Sequence, residues 1–481
     1  MVQSLQNYFY VMVGDFMERE RLGSRLGFIL LSAGCAIGVG NVWKFPWMAG
    51  QYGGGAFVLL YVIFLLILGL PVMIAEFSLG RASQSSPVRL YQKLEKKGQK
   101  WHLHGYAALV ANVLLMMFYT SVTGWILYYF VSFVRGNMTG ITNEASAELF
   151  SNMLANPSIM VGFMAIVVVL AFVLLSFGLQ NGVEKVTKYM MIALLVLMIV
   201  LAVNSFTLEG AGAGLSFYLK PDLSKISGNM IVGAMNQAFF TLSLGVGSMA
   251  IFGSYIGKER SLMGESINIL VLDTFVAVMA GLIIFPACFT FDVEPAAGPS
   301  LLFVAMAKVF NNMQGGMIWG SLFFLFMFFA AMSTVIAVCQ NILACMREIT
   351  GWSRIKGCII CGIGVLVLSV PCALGFNLLS SFQPFNSGSS VLDFEDFIVS
   401  YCLLPLGALC YVLFCVSKKG WGFDNFIAEA NAGKGLKLPK WIRPYMTYVL
   451  PVIIALIFII GIVNFPFADN FTIWEWIKGL F

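Results

Sequence analysis

The sequence predicts an all-α integral membrane protein of about eleven transmembrane helices, arranged as two five-helix repeats of opposite orientation with helices 1 and 6 broken. Three observations carry this reading. Of 481 residues, 59% are hydrophobic and only 11% charged, and mean hydropathy is +0.88; a water-soluble chain so composed would expose large apolar patches. Apolar runs of about twenty residues, enough to cross a hydrocarbon core roughly 30 Å thick, recur along the chain. Two of these runs are interrupted near their middle by glycines, amides and hydroxyls.

The runs lie near 26–49, 55–77, 106–133, 160–179, 186–206, 230–255, 266–290, 319–345, 357–376, 397–416 and 446–464, and are called spans 1 to 11 below. Span 1 contains "GCAIGVGNVWKFPW" (34–47), where Gly34, Gly38, Gly40, Asn41, Lys44 and Pro46 fall within four turns. Spans 2 to 5 are continuous. Span 6 repeats the anomaly in "NQAFFTLSLGVG" (236–247), and spans 7 to 11 are again continuous. Spans 1–5 and 6–10 thus form corresponding sets, and an odd number of spans per set inverts one relative to the other. The boundaries this implies are a cytoplasmic N-terminal segment (1–25), a first repeat (26–207), a second repeat (208–416), and a cytoplasmic loop, span 11 and short extracellular tail (417–481). None of the connecting segments is long enough to bury a core of its own. Residues 1–25 end in "MERERLGSR" with no small-residue cleavage site, so no cleaved leader is expected.

Cations set the orientation. With the N-terminus inside, inner segments carry 22 of the 28 Lys and Arg and outer segments 5, the last being the intramembrane Lys44. The N-terminus is expected in the cytoplasm and the C-terminus outside. The net charge of +5 therefore reports topology, and no basic stripe with interleaved aromatics points to nucleic acid. The ten cysteines fall almost wholly inside spans, as small apolar fillers; Cys358 and Cys361 form a C-x-x-C without a second ligand pair, which excludes a zinc reading. His102 and His104 are placed in a cytoplasmic loop. With no histidine in the spans, an intramembrane hydrolase or metalloenzyme lacks its base or ligands, and no enzymatic activity is expected.

In hydrocarbon an unpaired peptide group costs several kcal/mol, so broken helix survives there only where it lines a cavity or binds something. A break also exposes two half-helix ends: amides that favour a carboxylate and carbonyls that favour a cation. Such a site suits a zwitterion accompanied by Na⁺.

The segment "RLGFILLSAGCAIGVGNVWKFPWMAGQYGGGAFVLLYVIFLLILGLPVMIAEFSLGR" (25–81) closely resembles the first two helices of the neurotransmitter:sodium symporter family, and "NQAFFTLSLGVG", "FFAAMSTVIAVCQ" (328–340) and "LDFEDF" (392–397) resemble its helices 6, 8 and 10. The likeness covers residues 19–464. It implies the leucine-transporter fold, with a 5+5 inverted repeat, and two sodium sites. The first would be formed by the Ala36 carbonyl, Asn41, Thr241 and Asp273; the second by carbonyls of Gly34, Ile37 and Ala330 with hydroxyls of Ser333 and Thr334. These are the hard oxygen ligands a small cation needs. Asp273 stands where animal members have asparagine. Tyr61, Gln237 and Thr241 match the animal chloride site, but Ala277 replaces its serine. The loss of that donor beside a negative Asp273 implies that chloride is not required.

The resemblance also implies an α-amino acid substrate. Amine-transporting members carry aspartate at Gly38, and its absence here leaves room for the ligand's own carboxylate, held by the Gly38 and Gly40 amides and Tyr119. The ammonium would meet carbonyls of Ala36, Phe240 and Ser243. The side chain would meet Leu115, Phe240, Ser243, Val246, Ser333 and Val338, a mostly apolar set that favours a hydrophobic or aromatic side chain. Lys44 and Asp396 match the outer ion-pair gate, with lysine unable to form arginine's bidentate fork. Arg19 and Glu348 match the inner one. Leu22 replaces the tryptophan that plugs the inner gate, and Ile192 stands where a helix-5 proline often falls. The expectation is a sodium-coupled amino-acid symporter working by alternating access, a monomer or weak dimer in the bacterial inner (plasma) membrane, its partners being the amino acid, sodium ions and the lipid bilayer. The alternatives are a non-transporting amino-acid sensor or an ion channel of the same fold.

Overall fold

Backbone groups in lipid have no water to bond, so each apolar run closes its hydrogen bonds within itself as helix. The computed structural model describes residues 20–138, 143–293, 301–468 and 471–474. Among these, nine helices are continuous and long enough to cross a bilayer: Gly55–Ser83, His102–Val134, Pro157–Ser176, Leu179–Phe206, Leu262–Thr290, Gly316–Thr350, Arg354–Leu374, Val391–Val416 and Ile442–Val463. Span 1 is the bent pair Arg25–Ala36 and Gly40–Gln51, its halves inclined by 54°. Span 6 is split into Gly228–Thr241 and Ser248–Gly253, neither long enough to cross alone. Nine continuous spans and the bent first one make ten; the interrupted span 6 keeps this compatible with the expected eleven, with the breaks in the first and sixth.

Several boundaries moved for physical reasons. Four π-helical turns, Gly40–Lys44, Leu65–Gly69, Phe397–Leu403 and Tyr445–Val449, immediately precede a helix with proline in its first turn, at Pro46, Pro71, Pro405 and Pro451. Proline supplies no N–H and its ring crowds the carbonyl four residues back, so the preceding turn widens while the span continues. Span 3 begins earlier than expected: His102 and His104 lie in its first turn rather than in a loop. There His102 Nδ1 sits 2.6 Å from Glu95 and His104 Nδ1 2.7 Å from the Tyr91 hydroxyl.

Spans 3 and 8 are the inner pillars, with 67% and 78% of their apolar stretches buried, against 33% for spans 5 and 11, whose remaining faces are left to lipid. The end of the bundle that carries the cation-rich connectors is tied down by Arg81. Its buried guanidinium bonds Glu429 on the connector helix Phe423–Ala430 at 2.7 Å and the Arg260 carbonyl at 2.7 Å. Among the described residues the ten cysteines form no disulfide, and eight of them are buried.

Candidate substrate and ion site

The first helix breaks because Ile37 turns to extended backbone (φ −72°, ψ 100°) directly after Ala36. The carbonyls of the last turn then lose their helical donors and swing toward span 8. Ser333 Oγ lies 2.8 Å from the Gly34 carbonyl, 3.3 Å from that of Ile37 and 2.9 Å from that of Ala330. Thr334 Oγ1 lies 3.3 Å from the carbonyls of Gly34 and Cys35 and 3.4 Å from that of Ile37. All five groups expected at the second sodium site therefore meet, joined by the Cys35 carbonyl. Two hydroxyl protons face four carbonyls, and the surplus of lone pairs is what a bare cation satisfies.

A second cluster surrounds Asp273, fully buried in span 7. Asn41 Nδ2 donates to its Oδ1 at 2.8 Å, the Tyr61 hydroxyl to its Oδ2 at 3.2 Å, and Thr241 Oγ1 lies 3.3 and 3.4 Å from the two carboxylate oxygens. Asn41 Oδ1 accepts the Gly38 N–H at 3.1 Å. Of the four residues expected at the first sodium site, Asn41 and Thr241 thus both meet Asp273, and the fourth, Ala36, lines the adjoining cavity. Every donor to the carboxylate is neutral, and a buried charge held only by neutral dipoles is costly without a counter-ion. Tyr61 and Thr241, two of the groups matched to an animal chloride site, are directed at this carboxylate. Gln237 donates to the Gly40 carbonyl at 2.8 Å instead.

In span 6 the chain leaves the helix after Thr241 and re-enters it at Ser248. The path requires left-handed backbone at Ser243, Gly245 and Gly247 (φ 50°, 93° and 76°), and at Gly245 a Cβ would stand 2.1 Å from the Leu404 carbonyl, so only glycine fits. The Ser243 hydroxyl donates to the Cys35 carbonyl at 3.2 Å and so joins the two breaks. The buried Glu76 of span 2 accepts the N–H groups of Gly245 at 2.6 Å and Met249 at 3.3 Å. Sequence reasoning missed Glu76; its signal was a lone acid in the apolar run "VMIAEFSL".

Between the breaks lies a cavity. Of the ten residues expected to contact a substrate, Ala36, Gly38, Gly40, Leu115, Tyr119, Phe240 and Ser243 line it, while Val246, Ser333 and Val338 do not. Ser333 is engaged with the span 1 carbonyls instead. The side chains of Val246 and Val338 are fully buried in packing: the turn at Gly245 and Gly247 carries Val246 away from the cavity, and Val338 stands one helical turn beyond Thr334 on the same face. Cys35, Thr334 and Leu404 line the cavity without having been singled out for it. The Tyr119 hydroxyl accepts the Val39 N–H at 2.8 Å. A Cβ at Gly38 would lie 2.2 Å from Tyr119 Oη and 2.5 Å from Thr334 Oγ1.

The two gates differ. Lys44 and Asp396 form no ion pair: the Lys44 ammonium sits 4.0 Å over the Phe240 ring, and Asp396 accepts from Ser400 at 2.6 Å. The apolar roof Phe240 offers is the nearer partner for the lysine. At the opposite end Arg19 lies outside the described residues, and the Glu348 carboxylate accepts from the Ser86 N–H at 3.0 Å and hydroxyl at 2.7 Å. Sequence reasoning missed a neighbouring latch. Glu20 bridges Arg347 at 3.2 Å and Arg354 at 2.7 Å, and Arg354 also holds Gln340 at 3.0 Å. Partial burial pushes the Glu20 carboxyl upward, but Arg354 and Arg347 outweigh it and hold the group below its ordinary range.

Comparisons with known proteins agree with this geometry. The profile described as the Sodium:neurotransmitter symporter family matches residues 19–148 and 144–480. An uncharacterised sodium-dependent transporter of Bacillus subtilis, YhdH, is 34% identical over 448 residues, covering 92% of this chain and 98% of the relative. One from Haemophilus influenzae is 31% identical over 459 residues, with 92% and 98% covered. Among solved structures, that of MhsT in complex with L-phenylalanine superposes with a TM-score of 0.83 at 34% identity, covering 92% of this chain and all of that one.

Proposed function

This chain belongs to the sodium:neurotransmitter symporter family, and from that premise we propose that it imports an α-amino acid with a hydrophobic or aromatic side chain, driven by two sodium ions and without chloride. The observation that carries the proposal is the meeting of the Gly34, Ile37 and Ala330 carbonyls with the Ser333 and Thr334 hydroxyls, where oxygen lone pairs outnumber protons. That cluster gains its cation only when the inner half of span 1 lies against span 8, so sodium binding stabilises the closed inner side. The cavity beside it joins the same two elements, since Thr334 and Gly38 face both. Ligand and ion thereby stabilise one arrangement and each raises the other's affinity.

The substrate's carboxylate meets the Gly38 and Gly40 amides and the Tyr119 hydroxyl, and its ammonium the carbonyls of Ala36, Phe240 and Ser243. Leu115, Phe240 and Leu404 supply the apolar wall. A phenylalanine-bound MhsT at 34% identity supports an amino-acid ligand. Asp273 takes over the electrostatic role of an anion beside the first sodium, held by Asn41, Tyr61 and Thr241. The two repeats, 26–207 and 208–416, rock about this site, with the N-terminus in the cytoplasm of a bacterial cell and the protein in its plasma membrane. Lys44 leaves the Phe240 ring to pair with Asp396 as the outer side shuts, and separation of Arg19 from Glu348 opens the inner side.

Uptake of radiolabelled phenylalanine and leucine into proteoliposomes tests this. Uptake follows an inward Na⁺ gradient and collapses when choline replaces sodium; undiminished uptake in choline overturns the reading. A sensor without flux would bind label in Na⁺ yet accumulate none.

A further inference from the structure

Spans 3 and 8 carry, two helical turns from the pocket, a pair of asparagines that no sodium or substrate role uses. Asn112 lies three and seven residues before Leu115 and Tyr119, and Asn341 three and seven after Val338 and Thr334. These spacings keep each asparagine on its helix's pocket face, about 10 Å from Tyr119 or Thr334 toward the end of the bundle that holds connector 85–101. Both are 1% exposed. Their amides converge on one backbone atom: Asn112 Nδ2 donates to the Val246 carbonyl at 2.7 Å, and Asn341 Nδ2 lies 3.5 Å from it.

The two amides have different tasks. Asn112 Nδ2 spends its second proton on the Ala108 carbonyl at 2.6 Å, one turn back in its own helix. Asn341 Nδ2 donates to Asn112 Oδ1 at 3.3 Å, which fixes which face of the Asn112 amide points at Val246, and Asn341 Oδ1 accepts from the Cys345 thiol at 3.6 Å. The result is a closed relay from Cys345 through Asn341 and Asn112 to the span 6 break. Glu76 holds the N–H groups of the same break from the other side. Between left-handed Gly245 and Gly247 the Val246 peptide has lost regular helical surroundings, so its carbonyl needs a donor from outside the span.

We infer that Asn112 and Asn341 are positioning residues that pin the broken span 6 to the two pillars of the pocket, Asn112 holding the Val246 carbonyl and Asn341 orienting Asn112. The pin fixes how far Phe240 and Ser243 stand from Tyr119 and Thr334, and it closes the floor of the cavity. Opening toward the 85–101 end then requires Val246 to leave Asn112. This inference rests on the symport reading for its transport readout but not for its structural one.

The test uses full-length protein in proteoliposomes with Asn112→Leu, Asn112→Ser, Asn341→Leu and the Asn112→Leu/Asn341→Leu double variant. Asn112→Ser keeps a small polar group that helix packing accepts but that is too short to reach Val246, so it serves if the leucine variant misfolds. Loss of the pin raises KM for sodium-driven amino-acid uptake about tenfold, equivalent to about 1.4 kcal/mol and within the range of a net hydrogen bond, while kcat stays within about twofold. Asn341→Leu raises KM about threefold alone and adds nothing in the Asn112→Leu background, because it acts through Asn112. The second readout needs neither sodium nor substrate: with the other nine cysteines replaced, Cys345 reacts with maleimide faster in Asn112→Ser than in the otherwise unchanged protein. An unaltered labelling rate, or single effects that multiply in the double variant, overturns the inference. Failure of wild-type uptake with accelerated labelling would instead sink the symport reading and leave the pin standing.

Discussion

Gly38→Ala adds one methyl group where the proposed substrate and sodium sites adjoin. Its Cβ would lie 2.2 Å from Tyr119 Oη and 2.5 Å from Thr334 Oγ1, against ordinary contacts of 3.4 Å or more. Neither neighbour yields freely, since Tyr119 is bonded to the Val39 N–H at 2.8 Å and Thr334 stands among the carbonyls of Gly34, Cys35 and Ile37. Overpacking of this kind costs about 1–3 kcal/mol, or roughly a five- to hundred-and-fiftyfold loss in an equilibrium constant. Because one methyl displaces both groups, amino-acid affinity at saturating sodium and sodium affinity at saturating amino acid should fall together. Equilibrium binding of labelled amino acid to purified protein, titrated once with ligand and once with Na⁺, measures both. If Gly38→Ala leaves both within twofold of wild type, Gly38 does not stand between the two sites and the pocket is misplaced. Gly38→Asp, which adds a carboxylate to the same clash, abolishes amino-acid uptake.

Three further outcomes follow from the same geometry. Among the described residues the proposed first sodium has one formal charge beside it, which Asp273→Asn removes; a unit charge at about 4 Å and an effective dielectric near 20 is worth about 4 kcal/mol, so sodium affinity measured by Na⁺-dependent binding falls at least a hundredfold and, unlike wild type, improves when chloride replaces gluconate. Glu76→Gln keeps one accepting oxygen but sets its amide N–H₂ against the N–H of either Gly245 or Met249, and leaving a buried donor unmade costs about 1–3 kcal/mol; uptake drops at least fivefold while the helical circular dichroism is unchanged. Glu20 is held below its ordinary range by Arg354 and Arg347, so its latch is intact at all pH values above that range and weakens only as pH falls through the depressed value. Glu20→Gln therefore opens the inner side at neutral pH, read as faster labelling of a single cysteine placed at Ser333, whereas wild type labels equally slowly at pH 6 and pH 8.

The breaks in spans 1 and 6 were legible because glycine, amide and hydroxyl residues inside apolar runs are costly in lipid and stand out against it. The oxygens proposed for the sodium sites were named through family resemblance alone, and packing brings Ser333 and Thr334 onto span 1. Other features depend on which face of a helix meets which neighbour. Val246 sits between two glycines as a lining residue would, yet the left-handed turns carry its side chain away from the cavity. Glu76 and Asn112 are each a lone polar residue in an apolar run and Asn341 follows Gln340 in another; their convergence on the span 6 break exists only once spans 2, 3 and 8 surround it. Lys44 and Asp396 were matched as a pair by resemblance, yet the lysine lies on Phe240 and Asp396 accepts from Ser400. The Glu20 latch was hidden because its arginines arrive from residues 347 and 354.

The central claim, that freed backbone and side-chain oxygens bind sodium and thereby an amino acid, is tested most directly by isothermal titration of phenylalanine into purified protein in sodium gluconate, sodium chloride and choline chloride. Saturable binding of equal strength in both sodium salts and none in choline is the predicted result. Equal binding in choline chloride, or binding in sodium chloride alone, would contradict it.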